Sequence, residues 1–133
     1  EGNLSAYIRK NPEFESLGAK THIEMPRYYN LAKVFVNPYS SNLVAGCGCA
    51  LSEALACGTP VVGTKCLDFP FLWRDGEVGY LVNGGSFSLA NAIIKAMRNG
   101  DRMYENCRKL ALKEFSHESV GRRYLEVFEQ VLK

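Results

Sequence analysis

Two short apolar runs, Val34-Phe35-Val36 and Val61-Val62, are β-branched or aromatic throughout and carry no polar alternation. Strands buried on both faces of a parallel sheet have this pattern. Between them, Cys49 to Cys57 places apolar residues at helical spacing and stops at Gly58, with Pro60 two residues later. The residues that join the first run to this helix are rich in Ser, Asn and Gly, and Gly46 and Gly48 flank Cys47. Asn37 to Thr64 therefore spans a Gly-rich loop, a helix and the next strand, one turn of a parallel α/β sheet.

The rest of the chain extends this unit in both directions. Asn3 to Lys10 reads as a short helix capped by Asn3, and Asn11-Pro12 stops it. Glu13 to Leu17 suggests a second helical turn, and Ala19 to Glu24 a partly alternating strand that includes His22. Pro26 suits the first turn of a short helix that carries Arg27, Tyr28 and Tyr29. Beyond the central unit, Phe69 to Trp73 is an aromatic segment, and Gly79-Tyr80-Leu81-Val82 is a strand closed by Asn83-Gly84-Gly85. Ser86 or Ser88 caps an expected helix ending at Asn99-Gly100, with Leu89, Ala92, Ile93 and Ala96 inward. Asp101 then caps a second helix with Met103, Cys107, Leu110, Ala111 and Phe115 on its buried stripe. Ser116 caps the last, lined by Val120, Tyr124, Val127, Phe128 and Val131. The expected class is α/β, a Rossmann-like open parallel sheet of about four strands with flanking helices.

The central unit has chemistry to offer. A helix N-terminus presents unpaired N–H groups and the positive end of the helix dipole, and neighbouring glycines let a phosphate come close. Glu53, one turn into the helix, can accept hydrogen bonds from sugar hydroxyls. Arg27 follows the end of the expected strand, where open α/β sheets place ligands. The bland alternatives stand beside these readings: a Gly-x-Gly turn that binds nothing, a solvated Glu53, and tyrosines that only pack. Cys47 and Cys49 lack a second ligand pair at metal spacing, so no metal is expected.

Composition narrows the classes. The 133 residues suffice for one domain, 47% of them hydrophobic and 23% charged, as in an ordinary globular chain. A net charge of +2 does not point to nucleic acid, and no apolar run reaches transmembrane length. Five cysteines, an odd number, read as reduced thiols of a cytoplasmic protein, peripheral to a membrane at most. The chain starts at Glu1 rather than Met, which suggests a single domain truncated at its N-terminus.

Glu53-Ala54-Leu55-Ala56-Cys57-Gly58-Thr59-Pro60-Val61-Val62 resembles the E-A-x-A-x-G-x-P-V-V signature of GT-B glycosyltransferases, closest to glycosyltransferase family 4. Asp75-Gly76-Glu77-Val78-Gly79-Tyr80-Leu81-Val82 is similar to the family's D-G-x-x-G-x-L-V stretch, and Leu89-Ala90-Asn91-Ala92-Ile93 to the helix after it. The resemblance implies the C-terminal, donor-binding half of a two-domain enzyme with a separate N-terminal acceptor-binding domain. The donor would be a nucleoside-diphosphate sugar, bound as a substrate without a cofactor, and transfer would retain the anomeric configuration. By resemblance, Glu53 is the second glutamate of an E-x7-E motif and holds the ribose hydroxyls. Gly46, Cys47 and Gly48 place amides at the phosphates or the sugar, and Thr59 shapes the turn behind the site. The motif's first glutamate falls at Ala45, so the catalytic residues are unknown. That departure keeps two other readings open: a degenerate nucleotide-binding domain, and a protein-interaction domain.

Overall fold

The structure is a computed structural model that describes residues 10–38, 48–65, 73 and 75–132. Four helices and three strands follow one another along these residues. They are α1 (Met25–Leu31), β1 (Phe35–Asn37), α2 (Cys49–Ala56), β2 (Val61–Thr64), β3 (Gly79–Val82), α3 (Ser86–Phe115) and α4 (His117–Val131). The strands form one parallel sheet in sequential order β1-β2-β3. Val36 is opposite Val62, and Val62 opposite Tyr80. The expected α/β open parallel sheet is present, with three strands among the described residues.

Alternation along each strand sends neighbours to opposite faces. Val61 joins a cluster with Tyr29, Leu51, Leu55, Met103 and Cys107, whereas Val62 joins Ala92 and Ala96. Both valines are fully buried, which explains why their run shows no polar position. Gly79 opens β3 with φ 143°, and a Cβ there would run into the Val61 backbone. The close approach of the two strands requires glycine at that position.

Two expectations before β1 fail. Residues 14–21 have no regular structure, so neither the helical turn at Glu13–Leu17 nor the strand at Ala19–Glu24 forms. The Thr21 N–H and hydroxyl both donate to Glu24 Oε2, at 2.9 and 2.8 Å. The Glu24 and Met25 N–H groups in turn donate to the Thr21 carbonyl. These bonds close a turn over Thr21–Glu24 in which the Glu24 carboxylate reaches back to Thr21, and the turn leads the chain into α1 where a strand would have to run on. Arg27 consequently sits exposed on α1 rather than at a strand end.

The third correction concerns the C-terminal half. The two helices expected to meet at Asn99-Gly100 are one helix of 30 residues. Ala92, Ala96, Met103, Cys107 and Ala111 are all buried at spacings that keep one phase across the glycine. Packing of this continuous stripe outweighs the roughly 1 kcal/mol that glycine costs a helix interior. Ser86 and Ser88 provide no cap; Gly85 occupies that position. Ser116 caps α4 as expected, its hydroxyl accepting from the Ser119 N–H at 3.1 Å. The apolar stripe of α4 is present but exposed, and no α4 residue is buried. Periodicity identifies a face, not what covers it. The helix expected at 3–10, apart from Lys10, and the segment 69–72 lie outside the described residues.

Candidate functional site

Glu53 lies on the face of α2 that meets α1. Its Oε2 accepts from the Tyr29 hydroxyl at 3.0 Å, and its Oε1 stands 3.4 Å from His22 Nδ1. The Glu53 side chain is 34% exposed and that of His22 91%, so the carboxylate has one protected and one accessible side. Tyr29 is 3% exposed. Burial, and then the hydrogen bond to Glu53, push its phenol up to about 12, so it remains a donor near neutral pH. When the imidazole is protonated, His22 and Glu53 form an ion pair at the surface. Sequence reasoning treated His22 as an ordinary strand residue. Only the fold over α1 brings it to the carboxylate.

Thr59 is buried, and its hydroxyl donates to the Tyr29 carbonyl at 2.7 Å. Glu53 and Thr59, six residues apart in the recognisable motif, thus close on the same tyrosine, one at its hydroxyl and one at its backbone. The Tyr29 ring also meets Phe35 of β1 edge-on, with centroids 5.6 Å apart and planes at 81°. The Thr21–Glu24 turn that leads into α1 and the Gly58 turn that ends α2 both serve this junction. Gly58 has φ 82°, which glycine adopts without cost, and the chain reverses there into β2.

Gly48 takes the N-cap position of α2, and its carbonyl accepts from the Leu51 N–H at 3.0 Å. The N-terminus of α2 therefore faces the end of the sheet at which β1 finishes. Ala45, Gly46 and Cys47 lie outside the described residues. Arg27 is exposed on α1, and its side chain has no described bond to the Glu53 group. Sequence reasoning missed Tyr29 as a partner of the motif, since the bond joins residues 24 apart and no local pattern signals it.

The remaining groups have structural surroundings. Burial raises the Cys57 thiol, opposed by the Arg108 charge, and burial raises the Cys107 thiol to about 12. Arg108 donates to the Ala56 carbonyl at 2.9 Å, a cation at the C-terminal end of α2. A cavity of about 340 Å3 opens at this same C-terminal end of α2, lined by Lys33, Gly58, Pro60, Asp101 and Tyr104 among others. Among the described residues, no group of three or more His, Cys, Asp or Glu side chains converges as a metal site. No described helix is long and apolar enough to cross a membrane.

Residues 2–99 match the family model described as glycosyl transferases group 1. The chain belongs to this family. A phosphatidyl-myo-inositol mannosyltransferase from Mycobacterium leprae is 37% identical over 87 residues, 63% of this chain and 23% of that protein. An N-acetyl-alpha-D-glucosaminyl L-malate synthase from Bacillus anthracis is 29% identical over 90 residues, 65% of this chain and 24% of that protein. The chain thus matches about a quarter of the length of either curated relative. The structure of sucrose-phosphate synthase from Thermosynechococcus elongatus superposes with a TM-score of 0.80 at 23% identity. That match covers 97% of this chain and 33% of the synthase, a likeness in fold. The resemblance read from the motif to a GT-B glycosyltransferase is therefore upheld.

Proposed function

We propose that this chain is the donor-binding domain of a glycosyltransferase that takes a sugar from a nucleoside-diphosphate sugar with retention. The observation that carries the proposal is the Glu53 carboxylate, tied on one side to Tyr29 and accessible on the other, on a helix whose N-terminus adjoins the end of β1. Family membership and the Glu53–Val62 motif support the same assignment. In this reading Glu53 accepts hydrogen bonds from the ribose hydroxyls. The α2 N-terminus, with Gly46, Cys47 and Gly48, faces the diphosphate, whose departure requires stabilised negative charge. Thr59 keeps the turn behind the site, and Arg27 stands at its rim. Family 4 is the specific assignment that the motif favours. Acceptor contacts belong to a separate acceptor-binding domain, so residues 1–133 alone bind donor without turnover.

Calorimetric titration of UDP and GDP, and then of UDP-glucose and GDP-mannose, tests this reading. A nucleoside diphosphate should bind, and Glu53→Ala should weaken it by about tenfold, the worth of one hydrogen bond to a charged group. Equal binding by wild type and Glu53→Ala would remove the role assigned to Glu53. Ala45, at the position of the motif's first glutamate, favours a second reading. In that reading the domain binds nucleotide but transfers nothing. A sugar moiety that adds no affinity over the bare diphosphate would decide for it.

A further inference from the structure

We infer that Tyr29 is a positioning residue of this site: its hydroxyl holds Glu53 Oε2 so that Oε1 is committed to the vicinal hydroxyls of a ribose. The inference rests on the donor-site reading and adds to it a residue outside the recognisable motif. An ionised carboxylate offers acceptor sites on two oxygens and no donor. The Tyr29–Glu53 hydrogen bond therefore has one direction, phenol to carboxylate, and it occupies Oε2 at 3.0 Å. A glutamate free to rotate would lose side-chain entropy on binding, up to about 2 kcal/mol on general scales. Here that ordering is made in advance, which preserves binding free energy for the ligand.

Tyr29 can impose the order because it is itself fixed at three places. Its ring is 3% exposed and packs edge-on against Phe35. Its carbonyl accepts from the Thr59 hydroxyl at 2.7 Å and from the Ala32 N–H at 3.1 Å. Oε1 remains on the accessible side, 3.4 Å from the exposed His22 ring. A cis-diol presents two donors to such an oxygen, whereas a 2′-deoxyribose presents one fewer. The arrangement selects ribonucleotides over deoxyribonucleotides.

The experiment is calorimetric titration of UDP against dUDP, and GDP against dGDP, into wild type, Tyr29→Phe, Glu53→Ala and the double variant. Wild type should prefer the ribonucleotide by about tenfold or more. Tyr29→Phe should lower that preference by weakening ribonucleotide binding more than deoxyribonucleotide binding, and it should have no further effect once Glu53 is alanine. A preference that Tyr29→Phe keeps and Glu53→Ala abolishes overturns the positioning role and leaves the donor site standing. A preference unaffected by Glu53→Ala, or no binding by wild type, removes the donor-site reading as well. NMR of the unaltered chain provides a second measurement that does not depend on the variants folding. The Tyr29 hydroxyl proton should exchange slowly and stay in place when UDP binds, and its loss on binding would overturn the inference.

Discussion

Thr59 donates its hydroxyl to the backbone carbonyl of Tyr29, the residue whose own hydroxyl holds Glu53. Thr59→Val keeps the side-chain shape and removes this bond. The Tyr29 carbonyl retains the Ala32 N–H, so no acceptor is left orphaned. The expected cost is that of one net hydrogen bond, about 1 kcal/mol, read as a lower urea midpoint with an unchanged slope.

Glycine-to-alanine substitution should have opposite signs at two positions. Gly58 has φ 82° and a Cβ there would overlap the Tyr104 ring, so Gly58→Ala is strained. The backbone conformation alone should cost about 1–2 kcal/mol, and combining it with Tyr104→Ala should recover only the part due to the ring. Gly100 is helical, and a Cβ would meet Lys33 O at 3.6 Å and Pro60 Cγ at 3.7 Å, ordinary contacts. Gly100→Ala should stabilise the chain by about 0.5–1 kcal/mol in the same denaturation assay.

Stability should fall at alkaline pH. The buried Cys107 thiol is raised from 9.0 to about 12, and the Tyr29 phenol from 10.0 to about 12. Both groups stay protonated in the folded chain at pH values where the unfolded chain releases their protons. The unfolded state then binds fewer protons, and stability declines as pH rises through that window. Thermal melts under reducing conditions between pH 8 and about 11 would show the decline. Tyr29→Phe should show a shallower one.

Thiol accessibility should follow position. Cys49 is exposed, Cys57 is partly covered and Cys107 is buried. Of these three described thiols, mass-spectrometric mapping after alkylation should find Cys49 modified first and Cys107 only under unfolding conditions. Rapid native labelling of Cys107 would contradict its packing under Val78, whose carbonyl lies 3.6 Å from the sulfur.

The central unit was legible because its determinants are local. Val61 and Val62 advertise a doubly buried strand, and Gly58 with Pro60 marks the helix end where φ turns positive. The strand expected through His22 does not form because Thr21 and Glu24 close a hydrogen-bonded turn, whose side-chain bonds outrank a weak alternation. Asn99-Gly100 looked like a stop, but the stripe from Ala92 to Ala111 keeps its phase through it, so tertiary packing decided. Glu53 could be singled out from the motif. Its partners could not, because Tyr29 and His22 are 24 and more residues away and meet it only through the fold.

The continuity of α3 has a consequence for how this chain opens. Its first half packs with Val62 on one side of the sheet, and its second half with Val61 on the other. At 1.5 Å per residue its 30 residues extend about 45 Å, and they pass Lys33 and Pro60 at Gly100. Neither side can detach without disturbing the same helix, so the two layers share one cooperative unit. Amide exchange around Ala96 and around Cys107 should therefore report one opening free energy rather than two.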